Sequence, residues 1–270
     1  MATQPPIRLW FQLLSAEGGM TDSIAATQRT CDLAASPGTT VEVRGTRNGA
    51  LGDQYKIFLH YDVREVVDNG LKVRAEKTHD AFVIANSLDP ALVELREMLD
   101  VPVLSFMEVA CFTACQMGDT FGLLLVNDRF TPHYADIVHH YGLTSRLTGM
   151  EPVRYDNIRR LNEAFTNEKI GADLMEQLLE ACSRLIARGA EVIIPTGPLS
   201  ALLALRGVFQ IDGVPILNSY GLLVKAAEVA VAMHRMTGVA VSRKRRYQSP
   251  PDELIRQCAQ VRGIDSMLKG

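Results

Sequence analysis

Asp80-Ala-Phe-Val-Ile-Ala-Asn-Ser87, running on into Leu88-Asp89-Pro90, decides how the rest of the chain is read. Small and apolar residues continue unbroken from Ala81 to Ala85, two polar residues follow, and a proline opens a predicted helix over 90–99. A strand that is apolar on both faces belongs in a parallel sheet covered on both sides. Ligands of open α/β sheets lie beyond the carboxyl ends of such strands. Asn86 and Ser87 are therefore the first candidate site residues.

The unit recurs 110 residues later: Ala190-Glu-Val-Ile-Ile-Pro-Thr-Gly197 leads into Pro198-Leu-Ser-Ala-Leu202, and Thr196 answers Asn86. Each copy reaches a matching strand, Val101-Pro-Val-Leu104 and Val214-Pro-Ile-Leu217, and then a helix carrying Ala and Val. An ordered strand–loop–helix–strand pair at similar spacing indicates an internal repeat. The alternation predicts α/β architecture with a parallel sheet in each half.

At 270 residues and 47% hydrophobic content the chain has ample material for one large or two modest domains. A net charge of −3 favours no nucleic-acid partner. The basic run Arg243-Lys-Arg-Arg246, beside Ser249-Pro-Pro251, reads as a solvated loop. Five cysteines include no CxxC pair, and Cys111 and Cys115 share one helix face without histidine partners, so buried thiols are expected and zinc is not. The six histidines show no metal-binding spacing, although His133 stands near enough to Asn127-Asp128 to serve as a base. Reduced thiols and an N-terminus without a signal-peptide pattern lead to an expected cytoplasmic location. No apolar run approaches the roughly 20 residues that span a bilayer. A homo-oligomer is expected.

In chain order, the predicted elements begin with a strand over 7–14, a loop over 15–19 and a helix over 20–35. A strand over 41–44 leads into Gly45-Thr-Arg-Asn-Gly49, which lacks the spacing of a phosphate cradle. A helix from Tyr55 is expected to end near Asn69-Gly70, and Tyr55 and Tyr61 are candidates to cover a cleft. After the first core unit come a strand over 101–105, a helix over 107–117, a strand over 121–126 ending at Asn127-Asp128, and a helix over 132–140. Helical periodicity continues from Tyr155 to Arg188, and a last helix covers 220–236. The predicted lobes are 1–118 plus 225–270, and 119–224.

Read together, these stretches resemble the aspartate/glutamate/hydantoin racemase superfamily, closest to its hydantoin-racemase-like branch. Asp80–Leu92 resembles that family's core strand and helix start, Val101-Pro-Val and Val214-Pro-Ile its VPV strands, Met20-Thr21 the MT after its first strand, and Ser242–Tyr247 its closing segment. The resemblance implies two pseudo-symmetric lobes with the site in the cleft between them. It also implies two cysteines, one ending each core strand, that exchange a proton across a substrate α-carbon. Asn86 and Thr196 occupy those positions here, so both thiols are missing. Leu13-Leu14-Ser15 stands where the family has Asn-Pro-Asn, which makes Ser15 a candidate substrate contact.

Asn and Ser favour helix N-termini, so Asn86 and Ser87 read both as caps and as ligand contacts, two roles that overlap. A helix N-terminus offers N–H groups to a carboxylate or enolate oxygen. Asn86-Ser87 and Thr196-Gly197, with Pro198 opening the second helix, are thus expected to form two facing anion holes. Asn127 is read both as a third contact and as a turn residue. Neither Asn nor Thr titrates near neutrality, so two-base racemisation by these residues is not expected. The expected function is a cofactor-independent enzyme acting on a small carboxylate or cyclic amide through an enolate or tetrahedral oxyanion, with no metal, nucleotide or pyridoxal group. The alternatives are a hydrolase or a decarboxylase-type lyase on the same scaffold, and a non-catalytic small-molecule binding protein.

Overall fold

The computed structural model describes residues 5–155 and 158–264. Four parallel strands, β1 (Ile7–Ala16), β2 (Thr39–Thr46), β3 (Ala81–Ile84) and β4 (Val103–Ser105), form a first sheet in the order β2-β1-β3-β4. A second parallel sheet holds β5 (Phe121–Leu125), β6 (Leu147–Pro152) and β7 (Val192–Pro195) in the order β6-β5-β7. Ile216 bridges Ile193 in parallel on the open side of β7, where a fourth strand would lie. The second sheet therefore reproduces the order of the first, with the Val214–Leu217 copy supplying one bridge instead of a full strand. Val214–Pro215 (β9) pairs antiparallel with Gln210–Ile211 (β8), which diverts that segment from the sheet.

Alternation along β1 and β3 sends their side chains to two different cores. Leu9, Phe11, Leu13, Ala81 and Val83 face one, and Trp10, Leu14, Phe82 and Ile84 face the other. Phe82, Val83 and Ile84 have no exposed surface, and each contributes about 1.5–3 kcal/mol by leaving water. The Trp10 face is covered by α2 (Lys56–Glu76) and α3 (Leu92–Met98). The Phe11 face is covered by α1 (Thr21–Ala34), α4 (Phe106–Met117) and α8 (Ser219–Thr237). That second core is continuous with the side chains around β5 and β7, including α5 (Thr131–His140), α6 (Glu168–Ala187) and α7 (Pro198–Leu205). A lobe boundary at 118 falls between α4 and β5, whereas one at 224 falls inside α8.

Several element boundaries differ from the sequence reading. β1 runs through Ser15 to Ala16, so Ser15 belongs to the strand and not to a loop. Helix α2 continues past Gly70, because Gly70 serves close packing: a Cβ there would collide with Leu95 of α3. It ends instead at Lys77, whose left-handed conformation returns its N–H to Val73 O. Residues 158–165 form a 3-10 segment, and Asn167 restarts the chain as α6 by accepting Ile170 N–H at 3.2 Å. β6 was not anticipated, since Leu147-Thr-Gly-Met-Glu-Pro152 has little β-branched content. A final helix, α9 (Asp252–Arg262), was also missed. The basic run is only partly a solvated loop: the half-buried Arg243 donates to Arg96 O at 2.6 Å and to Leu99 O at 2.5 Å, closing the end of α3.

Candidate active site

The carboxyl ends of β3 and β7 meet. A Cβ built on Gly197 would lie 3.6 Å from Ser87 Oγ, so the residues that follow Asn86 and Thr196 in the two repeats are neighbours. Gly197 has φ 50° and ψ −136°, a conformation that residues with a Cβ rarely adopt. Tyr134, from α5, closes the gap between the strand ends. Its hydroxyl is 2.7 Å from Ser87 Oγ, and the Thr196 hydroxyl also acts on it.

Proton counting fixes the direction of this chain. Thr196 Oγ1 donates to Leu124 O at 2.8 Å, because a carbonyl can only accept. Toward Tyr134 the Thr196 oxygen is then an acceptor, which makes Tyr134 its donor and Ser87 the donor to Tyr134. Burial raises the Tyr134 phenol above its ordinary range, so it remains a protonated donor. The backbone N–H groups of Ser87 and Gly197 meet no acceptor among the described residues, and both residues are buried. Buried N–H groups are rarely left unpaired. Both groups belong to residues of the strand-end cluster that holds the Ser87 and Tyr134 hydroxyls.

The other sequence-predicted residues take more local parts. Asn86 is half-buried and its Oδ1 accepts Leu88 N–H at 2.9 Å, an Asx turn and not a helix cap. The helix expected to start at Pro90 opens only at Leu92, after Ala91 at φ 62°, so no helix N-terminus stands behind Asn86-Ser87. On the other side, α7 does begin at Pro198, but the Leu199 and Ser200 N–H groups already bond to Thr196 O and Gly197 O. Neither position therefore shows the two facing anion holes at helix N-termini that the sequence led us to expect. Asn127 is buried at the end of β5, and its Oδ1 accepts Arg129 N–H at 3.1 Å to start a 3-10 turn. Ser15 continues β1 beyond Gln12, whose carbonyl accepts Ala85 N–H from the strand bearing Ser87.

Two residues outside the sequence-predicted set lie at or near the strand ends. Tyr134 adjoins His133, which had been considered as a base; the His133 ring is instead engaged with Gln54 O at 3.0 Å. Asp53, on the segment between β2 and α2, is 1% exposed and its Oδ1 has no partner. Burial, and secondarily the nearby Asp62, push its carboxyl up to about 7. Its charge is felt at Tyr134. A Gly-Asp-Gln sequence in a polar loop carries no signal of burial, whereas Tyr134 was detectable as the apolar-face residue of an amphipathic helix.

The cysteines lie elsewhere. Cys31, Cys111 and Cys182 are buried on α1, α4 and α6, and burial raises all three thiols, Cys182 to about 12. Among the described residues no group of three or more His, Cys, Asp or Glu side chains is placed to hold a metal ion, and no helix is long and apolar enough to cross a membrane. A cavity of 670 Å³ lined by Leu71, Arg74, His79, Asp100 and Asp252 opens at the amino ends of β3 and β4, opposite the hydroxyl cluster.

Comparison with known proteins bears on the family and the fold. The hydantoin racemase of Paenarthrobacter aurescens is 28% identical over 183 residues, covering 67% of this chain and 72% of that one. The allantoin racemase of Klebsiella pneumoniae superposes with a TM-score of 0.78 at 21% identity, over 90% of this chain and 94% of its own. The allantoin racemase of Pseudomonas fluorescens gives 0.76 at 22%, over 90% and 97%. These structural likenesses establish a shared fold. The Asp/Glu/Hydantoin racemase family model matches residues 20–227, most of both sheets and the whole hydroxyl cluster, and the chain belongs to that family.

Proposed function

We propose that the protein is a cofactor-independent isomerase-type enzyme whose substrate is a small cyclic amide or carboxylate of the hydantoin or allantoin kind. Reaction would proceed through an enolate without the two thiols of the family pattern. The observation that carries this reading is the convergence of the Ser87 and Tyr134 hydroxyls with the unpaired N–H groups of Ser87 and Gly197.

Removing a proton next to an amide carbonyl places negative charge on the carbonyl oxygen. Donors held in position before that charge develops stabilise it without reorganising. Tyr134 is suited to this because its phenol stays protonated, and the proton it gives to Thr196 Oγ1 in the free protein turns to the ligand oxygen when negative charge develops there. Ser87 is free to turn from Tyr134 toward a ligand, and Thr196 holds the other side of the phenol while anchored to Leu124 O. Thr196 in this reading orients the donor and does not abstract a proton. The raised, buried thiols favour no role for Cys31, Cys111 or Cys182.

The test is a panel of single enantiomers, 5-benzylhydantoin, 5-methylhydantoin and allantoin, followed by chiral chromatography, with thermal-shift measurement on the same compounds. Loss of enantiomeric purity faster than in buffer supports the reading. Thermal stabilisation with unchanged enantiomers would instead favour the non-catalytic binding protein. Ring-opened or decarboxylated products from this panel or from a malonate would point to the hydrolase or lyase alternatives.

A further inference from the structure

Enolate formation needs a group that takes the α-proton, and none of Ser87, Thr196, Gly197 or Asn86 titrates near neutrality. Two buried carboxyls lie close enough to act on Tyr134, those of Asp53 and Asp89. Their surroundings separate them. Asp89 Oδ1 accepts Met107 N–H at 2.9 Å, while its Oδ2 accepts Glu108 N–H at 3.2 Å and the Tyr141 hydroxyl at 2.5 Å. Both oxygens are committed to the start of α4, so Asp89 is a structural cap. Asp53 differs, because its Oδ1 is buried and unpartnered.

The segment bearing Asp53 is tied down over the cluster at several points. Thr46 Oγ1 donates to Leu14 O at 2.9 Å at the end of β1. Gln54 O meets His133 Nε2 at 3.0 Å, one residue before Tyr134, and Arg129 donates to the Tyr55 hydroxyl at 2.7 Å. The titratable groups that act on or are acted on by Asp53 are Asp62 from α2 and Tyr134 from α5, and His133 of α5 meets the carbonyl of the next residue, Gln54. A buried carboxyl with an open oxygen is costly unless something uses it.

We propose that Asp53 is the proton-handling residue of this site, its free Oδ1 taking the α-proton of the bound substrate. The C–H bond breaks, the proton passes to the Asp53 carboxylate, and the electron pair moves onto the carbonyl oxygen held by Tyr134, Ser87 and the Gly197 N–H. Return of a proton from Asp53 to carbon restores the carbonyl, with inversion when the enolate has turned its opposite face to Asp53 and retention otherwise, and no oxidant or reductant is required. This assignment rests on the reading of the hydroxyl cluster as an enolate site. It has its own pH signature: Asp53 must be ionised to act, and with its carboxyl raised to about 7 the rate increases as pH rises through that value.

The experiment follows exchange of the α-proton of 5-benzylhydantoin in D2O by NMR, corrected for buffer, in wild type, Asp53→Asn and Asp53→Glu. Thermal shift reports binding of the same compound. The expected result is a loss of exchange of about 10²–10⁴-fold in Asp53→Asn, the range of a general base, with the thermal shift retained. Asp53→Glu restores part of the exchange with a displaced pH midpoint. Exchange in Asp53→Asn within threefold of wild type overturns the assignment and leaves the enolate site standing. Wild type that binds the compound without exchanging its proton also overturns it. Wild type that neither binds nor exchanges overturns the underlying reading as well.

Discussion

Tyr134→Phe tests the hydroxyl cluster with a change of one atom. The ring is kept, so no cavity opens and the contact with Phe130 survives. In the free protein Ser87 Oγ loses its partner at 2.7 Å while remaining 4% exposed. An unpaired buried hydroxyl costs about 1–3 kcal/mol. Thr196 is less affected, because its own proton already goes to Leu124 O. Using the scaling of a larger domain, each kcal/mol lowers Tm by about 2–4 °C, so a fall of roughly 2–12 °C is expected.

The effect on turnover should be larger than that loss explains. Deleting one preorganised oxyanion donor costs about 2.7–4 kcal/mol in the transition state, a factor of about 10²–10³ in kcat. The assay is enantiomer interconversion of the active hydantoin well below the Tm of the variant, with circular dichroism confirming the fold. Thr196→Val provides the comparison. It removes the group that orients the phenol but leaves the phenol itself, so a smaller loss of about tenfold is expected, and the double variant should be less than additive. Tyr134→Phe turning over within threefold of wild type would refute the placement of negative charge at this hydroxyl.

Gly197→Ala should destabilise by about 1–3 kcal/mol through backbone strain at φ 50°, since its Cβ meets only Ser87 Oγ at an ordinary 3.6 Å; a chemical denaturation midpoint unchanged from wild type would contradict this. Arg243→Ala should lower Tm by a few degrees by freeing the carbonyls of Arg96 and Leu99 at the end of α3, whereas substituting the exposed Arg245 or Arg246 should leave Tm unchanged. N-ethylmaleimide should react with the partly exposed Cys115 and Cys258 and leave turnover intact, with mass spectrometry identifying the modified thiols; loss of turnover through either would place the chemistry elsewhere.

The fold was legible where side-chain pattern determines local structure. Ala81–Ala85 and Val192–Pro195 read as buried parallel strands because both faces are apolar, and their repetition announced two sheets of one order. The errors arose where tertiary packing overrode a local signal. Asn69-Gly70 reads as a helix end, but Gly70 is needed for the approach of α2 to Leu95. Pro90 reads as a helix start, but Asp89 at φ 47° and Ala91 at φ 62° bend the chain so that Asp89 can cap α4 instead. Val214–Leu217 reads as a full strand, but Gln210–Ile211 captures its first half.

The site divides along the same line. A repeat can reveal only what both copies share, and the two copies share their strand ends: Asn86-Ser87 and Thr196-Gly197. Those ends do meet, through Ser87, Gly197 and Tyr134. They supply hydrogen-bond donors, because neither an amide nor a threonine hydroxyl bonded to Leu124 O accepts a proton near neutrality. For the proposed reaction, proton transfer would then come from outside the repeated unit. The segment between β2 and α2 has no counterpart among the matching stretches, and it buries Asp53 beside Tyr134. Asp53 looks like an ordinary loop carboxylate in sequence, since its burial depends on contacts made by Gln54 and Tyr55 with residues 129–133, more than seventy positions away. On the proposed reading, replacement of both strand-end thiols is compatible with retained chemistry: the duplicated frame would hold the oxyanion, and the unduplicated loop would move the proton.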